Sequence, residues 1–295
     1  MYQNRHPRIG FIGIGLMGRP MVLRLLLANY GVRVWNRSPD KVAEVVAAGA
    51  VPCASPAELA RESDVILLSL ANTRAVESVA GADDFLAALG PAGSIVVDLS
   101  SISPETTRAL ASRVAEDAGA SWIDAPVSGG VPGAETGDLV IMAGGDPEAL
   151  ERAREVLAPL SKRVTHMGPS GAGQTAKLCN QIIVGCNVTA IGEAFRLARA
   201  AGVDAALLPD ALAGGFADSL PFRIFGQRMA DGVESPVSAK IETMLKDLDG
   251  ADTTATGLGL DLDLTRAAAA LLRARTNQGD AERCITSMVE PPAPS

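Results

Sequence analysis

Short apolar runs alternate with segments of helical periodicity through the first half of the chain. Continuous runs of this kind predict strands that are buried on both faces of a parallel sheet. The predicted strands are residues 8–12, 32–35, 64–68, 94–98, 122–124 and 139–142. Because helical segments separate them, we expect right-handed βαβ units and a doubly wound α/β sheet.

Two Ser-Pro pairs mark predicted helix starts. Ser38 precedes Pro39 and is the expected N-cap, since a serine hydroxyl can accept from N–H groups of the first helical turn. Ser55 precedes Pro56 in the same way, and Glu58 is placed to complete a capping box.

The pattern changes near Gly168. Beyond it, strand-like runs give way to Ala- and Leu-rich helical sequence. We therefore predict two domains: a doubly wound α/β domain at residues 1–168, and an all-helical domain at residues 169–295 that a long helix joins to the first. The Pro-rich end of the chain, residues 291–295, is expected to be disordered.

Composition and charge narrow the function classes. The chain has 295 residues, of which 47% are hydrophobic, enough to build a substantial core. Lys plus Arg is 26 and Asp plus Glu is 34, so the net charge is 26 − 34 = −8. An acidic chain without a basic run is a poor nucleic-acid binder. The polar N-terminus shows no secretory signal, and we expect a cytoplasmic protein without a membrane partner.

Histidine and cysteine are scarce. His6 and His166 are the two histidines and lie far apart in sequence, which counts against a metal site and against a Ser-His-Asp triad. The four cysteines form no Cys-x-x-Cys pair and are expected to be reduced and buried. If the protein is an enzyme that moves a proton, the carrier is expected to be a residue other than histidine.

A glycine-rich turn follows the first predicted strand and opens the first predicted helix. It reads Gly13-Ile14-Gly15-Leu16-Met17-Gly18, a G-x-G-x-x-G motif. In this context Gly13 allows the tight turn, Gly15 lets a pyrophosphate approach the backbone, and Gly18 lets the helix pack closely on the strand. The motif therefore predicts a Rossmann dinucleotide-binding domain. The alternative is a glycine turn without a ligand, which is as good an interpretation when the motif stands alone.

The end of the second predicted strand indicates which dinucleotide binds. An NAD site usually has an acidic residue there, whereas this chain has Asn36, Arg37 and Ser38. A guanidinium pairs with a phosphate, and the neighbouring side chains can donate to it. We expect NADP(H) to be preferred, with NAD(H) as the alternative. The alternative interpretation of Arg37 is an ordinary surface residue before a helix.

A second glycine-containing loop follows the predicted strand at residues 122–124. Ser128 supplies a hydroxyl there, and Gly129 and Gly130 supply unobstructed N–H groups, so together they could hold a carboxylate. A glycine turn without a ligand is again the alternative.

The stretch from Val164 to Gly192 contains one formally charged residue, Lys177. The surrounding helix is apolar almost all round, which predicts burial. A buried lysine is costly unless it is paired or functional, and desolvation lowers a lysine pKa toward values useful for proton transfer. Asn180 and Gln181 lie on the same helix face as Lys177. The alternative is a lysine that extends to solvent at the helix end.

Lys246 and Asp247 form an adjacent pair in another predicted helix. Adjacent residues on a helix do not face each other, so we expect no local ion pair between them. The residues alone do not decide between a functional pair and a solvated charged face.

Four motifs in this order resemble those of the β-hydroxyacid dehydrogenase family, and the resemblance covers nearly the whole chain. They are 11–18 (FIGIGLMG), 124–130 (DAPVSGG), 171–181 (GAGQTAKLCNQ) and 246–248 (KDL). The family includes 3-hydroxyisobutyrate dehydrogenase, tartronate semialdehyde reductase and glyoxylate/succinic semialdehyde reductase. The resemblance implies a Rossmann domain followed by an all-helical domain for substrate binding and oligomerisation.

The resemblance also implies residue roles. Lys177 would be the catalytic acid–base group and Asn180 would position the substrate. Ser128, Gly129 and Gly130 would hold the substrate carboxylate. The implied cofactor contacts, beside the glycine motif and Asn36, Arg37 and Ser38, are Leu70, Ala71, Ser101, Lys246 and Asp247. Ala71 departs from the proline that is common in the family, and Ala239-Lys240-Ile241 departs from an aromatic followed by a basic residue.

These implications predict an NADP(H)-dependent oxidoreductase that interconverts a small β-hydroxy acid and its aldehyde or keto acid. The expected partners are a small anionic substrate and further copies of the chain, as a homodimer or homotetramer. An imine reductase is the alternative enzyme, although Lys177 and the Ser128 loop count against it. A non-catalytic NADP-binding scaffold is the alternative outside enzymes.

Overall fold

A computed structural model describes residues 7–90, 93–235, 237 and 239–290. The N-terminal residues that we expect to carry no secretory signal, the first histidine His6, and the tail that we expect to be disordered lie outside the described residues.

The first part of the chain forms a nine-stranded sheet with helices between the strands. The strands are β1 (Ile9–Ile12), β2 (Val32–Trp35), β3 (Val51–Pro52), β4 (Val65–Leu68), β5 (Ile95–Asp98), β6 (Ser121–Asp124), β7 (Val127–Ser128), β8 (Leu139–Gly145) and β9 (Ser161–Gly168). Their order is β3-β2-β1-β4-β5-β6-β8-β7, and β9 pairs with β8. The first six strands are parallel, whereas β8 runs antiparallel to β6 and β7.

Eight helices accompany these strands in the described residues. They are α1 (Gly18–Leu27), α2 (Ala43–Ala47), α3 (Pro56–Arg61), α4 (Thr73–Ala80), α5 (Asp83–Ala88), α6 (Pro104–Ala118), α7 (Gly130–Thr136) and α8 (Pro147–Leu157). The doubly wound Rossmann sheet is confirmed.

The central strands are buried on both faces because alternate side chains enter two different apolar clusters. In β4, Val65 and Leu67 belong to one cluster, and Ile66 and Leu68 belong to the other. All four side chains are buried. The strand needs a continuous apolar run because its side chains pack in two cores. Such a run is visible in the sequence, so these strands could be predicted.

Helix caps follow the prediction at one Ser-Pro pair and not at the other. The Ser55 hydroxyl accepts from the N–H of Glu58, as predicted. The Glu58 carboxylate accepts from the N–H of Ala54, one residue before the N-cap, so the predicted capping box forms only in part. The predicted cap at Ser38 is wrong, since its side chain makes no capping hydrogen bond. A short 3-10 helix, Pro39–Val42, begins there instead, and the Ser38 carbonyl accepts from the Lys41 N–H.

The remaining helices begin with the long helix α9. They are α9 (Ala172–Ala200), α10 (Leu208–Leu212), α11 (Gln227–Asp231), α12 (Ile241–Gly257) and α13 (Asp263–Arg275). The described residues beyond Gly168 form no strand apart from an isolated bridge between Lys240 and Cys284. A separate apolar core includes Phe195, Leu248 and Leu272. The helical character of this part is confirmed.

Internal contacts divide the chain into two compact units after Lys177. The first residues of α9 thus group with the sheet, and the rest of α9 groups with the later helices. The domain boundary drawn at residue 168 from the sequence stays a prediction.

The expectation that α9 is buried all round is wrong. Its buried positions, among them Leu178, Gly185 and Val188, recur at helical spacing and form one face. The side chains of Ile183 and Leu197 on other faces are 67% and 71% exposed. The sequence pattern was misleading because the outer face of the helix is also apolar. By length and composition alone α9 could cross a membrane, but the core helix of a soluble protein passes the same test.

The expectation for the cysteines also needs correction. Cys284 is buried, but Cys53 and Cys186 are half-buried and Cys179 is exposed. Cys179 is exposed because it lies on an outer face of α9. None of these four cysteines, all of which the structure describes, is joined in a disulfide.

Candidate active site

The glycine turn after β1 is shaped by packing at two positions and open at the third. Gly13 has a φ of +102°, and a Cβ there would lie 2.2 Å from the Ser69 carbonyl oxygen. A Cβ at Gly18 would lie 1.9 Å from the Gly13 carbonyl oxygen. A Cβ at Gly15 would meet nothing within 4 Å. The turn therefore has an open backbone at the start of α1, which fits the approach of a pyrophosphate.

Asn36 joins this turn to the end of β2. Its Oδ1 accepts from the Ile14 N–H at 2.9 Å, and its Nδ2 donates to the Ser38 carbonyl at 2.9 Å. Asn36 thus holds together the two segments predicted to bind the cofactor phosphates. Arg37 is exposed beside them and forms no salt bridge with any residue that the structure describes.

Hydrogen bonds also connect the ends of β4 and β5. The Leu70 N–H donates to the Ser100 hydroxyl at 2.9 Å, and the Ser100 N–H donates to Asp98 Oδ1 at 2.9 Å. Ser101 is half-buried and follows directly, while Ala71 is exposed after Leu70. The structure therefore brings these three predicted cofactor residues to the carboxyl edge of the sheet, where open α/β sheets bind ligands.

The first turn of α9 is attached to this edge through Asp124, the last residue of β6. Asp124 Oδ1 accepts from the Gly171 N–H and Oδ2 accepts from the Gln174 N–H, both at 2.9 Å. A buried carboxylate thus satisfies N–H groups that a helix start leaves without intrahelical partners. It also complements the positive end of the helix dipole.

The Gln174 side chain makes a second attachment. Its Nε2 donates to the Ser100 carbonyl at 2.8 Å, and its Oε1 accepts from the Ile102 N–H at 3.1 Å. Gln174 is almost fully buried. Lys177 lies three residues further along α9, so the position of its backbone depends on this hydrogen-bonded first turn.

Two buried carboxyl groups lie side by side at this edge, because Asp98 and Asp124 are register partners on β5 and β6. Burial raises the pKa of Asp98 to about 7, against the lowering effect of its hydrogen bonds from Ser100. Burial also raises the pKa of Asp124, and the N–H groups of Gly171 and Gln174 oppose that rise. Oδ2 of Asp98 is buried and has no hydrogen-bond partner among the described residues.

The loop after β6 leads to Ser128, which is half-buried and pairs with Val140 of β8. Gly129 and Gly130 follow with φ values of +130° and +61°, and both are exposed. Side chains rarely adopt such φ values, so the glycines are needed for this backbone path.

Lys177 and Asn180 are both half-buried and lie about one turn apart on α9. We expected Lys177 to be buried, but it is only half-buried because α9 packs by one face. Lys177 nevertheless takes part in an interaction with its surroundings.

Asn180 belongs to a chain of polar contacts that ends at Lys246. Asn180 Nδ2 donates to Gln181 Oε1 at 2.8 Å, and Gln181 Nε2 donates to Asp247 Oδ2 at 2.6 Å. Lys246 Nζ lies 3.3 Å from Asp247 Oδ1. The expectation of no ion pair between Lys246 and Asp247 is therefore wrong. The long lysine side chain is flexible enough to fold back onto its neighbour, although the two Cβ atoms point in different directions.

The sequence motifs contained Asp124 and Gln174 but indicated no role for either. Ser100 and Asp98 were missed as well. A detectable signal was the acid at the end of an uninterrupted apolar strand, since a buried acid needs hydrogen-bond partners.

Among the described residues, no group of three His, Cys, Asp or Glu side chains is placed to hold a metal ion.

Two family models match the chain one after the other. Residues 8–168 match the NAD binding domain of 6-phosphogluconate dehydrogenase, and residues 171–291 match the NAD-binding domain of NADP-dependent 3-hydroxyisobutyrate dehydrogenase. The chain belongs to the β-hydroxyacid dehydrogenase family. As a β-hydroxyacid dehydrogenase, it is an oxidoreductase that uses a nicotinamide cofactor, and the resemblance inferred from its motifs is confirmed.

Individual relatives agree with this assignment. The chain is 38% identical to 2-hydroxy-3-oxopropionate reductase of Escherichia coli K12, over 82% of either protein. It is similar to the structure of Mycobacterium tuberculosis 3-hydroxyisobutyrate dehydrogenase with L-serine, with a TM-score of 0.89, 31% identity, and 97% of this chain and 98% of that chain covered. A structure of Psf3 with NADP+ and 2-OPP has a TM-score of 0.84 and 29% identity, covering 95% and 98%.

Proposed function

We propose that this β-hydroxyacid dehydrogenase is NADP(H)-dependent and interconverts a small β-hydroxy acid with its aldehyde or keto acid, using Lys177 as the acid–base group. The observation that carries the proposal is the attachment of α9. Its first turn is hydrogen-bonded to the carboxyl edge of the sheet through Asp124 and Gln174. Lys177 follows about one turn later, at the edge where such sheets bind ligands.

The chemistry divides between the cofactor and the protein. When bound, the nicotinamide ring supplies a hydride for reduction or accepts one in oxidation. In the reductive direction the Lys177 ammonium donates a proton to the alkoxide oxygen that develops on the substrate. In the oxidative direction the neutral amine removes the proton of the substrate hydroxyl. Asn180, about one turn further on the same helix, positions the substrate.

The substrate carboxylate is assigned to the loop after β6. The Ser128 hydroxyl and the N–H groups of Gly129 and Gly130 are the proposed donors. Exposed glycine backbone without a Cβ fits this role, since adjacent N–H groups can converge on one anion.

The cofactor is assigned to the turns at the carboxyl edge of the sheet. The pyrophosphate fits the open Gly15 backbone, and Arg37 with Ser38 would hold the 2′-phosphate that distinguishes NADP(H) from NAD(H). The other proposed cofactor contacts are Gly13, Ile14, Leu16, Met17, Gly18, Asn36, Leu70, Ala71, Ser101, Lys246 and Asp247.

For its location and assembly, we propose that the protein is a cytoplasmic homodimer or homotetramer. The exposed apolar side chains of Ile183 and Leu197 on α9 support self-association, because a further copy could remove them from water.

The test of the proposal is Lys177→Ala. Removal of a general acid–base group should lower kcat by a factor of about 10² to 10⁴. Affinity for NADPH, measured by fluorescence titration without substrate, should stay near that of the wild type. Lys162→Ala is the matched control, since Lys162 is exposed on β9. Near-normal turnover by Lys177→Ala would refute the assigned role.

The wild-type protein identifies the substrate in the same assay. NADPH oxidation is followed with glyoxylate, succinic semialdehyde, tartronate semialdehyde and methylmalonate semialdehyde, and with a panel of cyclic imines. Turnover of at least one aldehyde acid and none of the imines is the expected result. Turnover of imines alone would establish the imine reductase instead.

A further inference from the structure

The contacts between α9 and α12 contain a chain of polar side chains with a defined direction. Asn180 donates to Gln181, and Gln181 donates to Asp247. Gln181 and Asp247 are only 9% and 5% exposed, so water cannot easily replace either partner. A buried amide that lost its partner would be left with the full cost of desolvation.

The direction follows from the chemistry of the last member. Asp247 Oδ1 lies 3.3 Å from Lys246 Nζ, and a carboxylate paired with an ammonium accepts hydrogen bonds and donates none. Gln181 must therefore turn its NH₂ group toward Asp247, which leaves its carbonyl oxygen toward Asn180. Asn180 must then turn its own NH₂ group toward Gln181. Its Oδ1 remains as the acceptor that it can offer to a ligand.

We propose that Asp247 is a positioning residue, which acts through Gln181 to make Asn180 offer a hydrogen-bond acceptor to a substrate hydroxyl. This inference rests on the proposed function, in which Asn180 contacts the substrate. It names the group that Asn180 reads, which is the hydroxyl of the hydroxy acid. That hydroxyl has one hydrogen. It donates to Asn180 Oδ1 while Lys177 is an ammonium, and it turns to the amine when neutral Lys177 acts as the base. Asp247 would also hold Lys246, since its other carboxylate oxygen forms an ion pair with that lysine.

The critical measurement compares a hydroxy acid with its deoxy analogue. The protein loaded with NADPH cannot oxidise a hydroxy acid, so binding can be measured without turnover by calorimetry. The probes are 3-hydroxyisobutyrate and isobutyrate, which share a carboxylate and differ by one hydroxyl. We expect the wild type to bind the hydroxy acid about tenfold more tightly, a factor typical of one hydrogen bond.

Asp247→Asn should abolish this discrimination. An asparagine at position 247 can donate or accept, so the amide of Gln181 is no longer forced into one orientation. Asn180 then offers its acceptor only part of the time. The ratio of the two dissociation constants should fall from about 10 to about 2.

The double variant Gln181→Glu with Asp247→Asn should restore the ratio. A carboxylate at position 181 accepts from Asn180 on one side and from the new amide at position 247 on the other. The net charge and the size of the buried group are the same as in the wild type. Recovery toward the wild-type ratio is a result that a merely structural role of Asp247 would not produce.

Asp249→Asn is the matched control, because Asp249 lies on the same helix and pairs with Arg273 at the surface. It should leave the ratio unchanged. An unchanged ratio in Asp247→Asn, or a double variant that is folded by its Tm yet no better than the single one, would overturn the inference. So would a wild type that does not discriminate between the two acids.

Failure of the proposed function has a different signature. If the wild type turns over no hydroxy acid, or Lys177→Ala stays active, the proposed chemistry fails whatever the binding ratios are. If turnover depends on Lys177 but the ratios do not respond to Asp247, the direction argument alone fails. The affinity for NADPH tests Lys246 separately, since both position-247 variants remove its partner and should weaken binding about threefold.

Discussion

At the residue scale, the unusual groups are the two carboxyls that close β5 and β6. Asp98 and Asp124 are both fully buried. Asp98 accepts from the N–H of Ser100, and Asp124 accepts from the N–H groups of Gly171 and Gln174. Their hydrogen bonds build the edge that receives α9. Burial works against the charged form of each acid, so the same residues that organise the edge also destabilise it at high pH.

Asp98→Asn should show this cost as a pH dependence of stability. The pKa of Asp98 is raised from 3.8 to about 7, so between these values the folded state keeps a proton that the unfolded state releases. The free energy of unfolding of the wild type therefore falls as pH rises through this range, by at most about 1.4 kcal/mol per pH unit from this group. The variant Asp98→Asn has no carboxyl group at position 98, so its free energy of unfolding lacks this contribution to the fall with pH.

The measurement is the difference in Tm between variant and wild type from pH 4 to pH 8. It should move in favour of Asp98→Asn as pH rises and then level off above the raised pKa. Asp40→Asn, at an exposed position, should show no such trend. A constant difference across the range would contradict the assignment of a protonated, buried Asp98.

The sequence predicted some of these residues better than others, for a physical reason. Gly13, Gly15 and Lys177 could be singled out because each departs from its neighbours: two glycines in a strand-to-helix turn, and one charge in an apolar segment. Their roles in binding and catalysis stay predictions. Gln174 and Ser100 were missed because the hydrogen bond between them joins residues 74 positions apart in the chain. Nothing in their local sequence reports a partner so distant.

At the element scale, the first turn of α9 lies directly against the backbone of two strands. A Cβ at Gly173 would lie 2.4 Å from the Met142 carbonyl oxygen and 2.7 Å from the Asp124 carbonyl oxygen. Backbone atoms of two strands cannot rotate away as a side chain can. The helix therefore approaches the sheet only because position 173 has no side chain.

Gly173→Ala should consequently destabilise the protein, although alanine favours helices. The clash should cost about 1–3 kcal/mol or more, the usual range for overpacking. Gly250→Ala is the control, because a Cβ there lies in α12 at an ordinary 3.8 Å from Leu178. It should stabilise the protein by roughly 0.5–1 kcal/mol. Unfolding in urea measures both, and a neutral Gly173→Ala would show that the turn can shift.

The elements themselves were predictable where burial is two-sided. The six predicted strands correspond to β1, β2, β4, β5, β6 and β8. Strand β9 was missed, since its residues Ser161–Gly168 are polar and mostly exposed, without a clear alternation. Its pairing with β8 comes from backbone hydrogen bonds, which leave no trace in side-chain pattern.

At the scale of the whole molecule, the net charge of −8 opposes the binding of an anionic cofactor. Salt screens charges beyond about 8–10 Å, so the groups next to the phosphates decide the affinity. Arg37 is the exposed cation at the end of β2. The overall sign of the chain and the sign of its cofactor site are thus independent properties.

The variant Arg37→Asp should separate the effect of the local charge at the cofactor site from the effect of the net charge of the chain. Loss of a guanidinium–phosphate pair should weaken NADPH binding by about 10- to 100-fold. NADH binding should strengthen, because a carboxylate at this position can accept from the ribose 2′-OH. The salt dependence of NADPH affinity should also flatten. Arg61→Asp, on α3, makes the same change in net charge away from this edge and should alter neither. Equal losses in both variants, or a wild type that prefers NADH, would contradict the assignment.

The buried carboxylate of Asp124 has a consequence for recombining members of this family. Its two N–H donors, Gly171 and Gln174, lie beyond residue 168, where a sequence pattern suggests a cut. A hybrid enzyme joined there would combine an acid from one parent with donors from another. A junction placed after Lys177 keeps the acid, its donors and the lysine together, so it is the better crossover point for exchanging the helical parts of relatives.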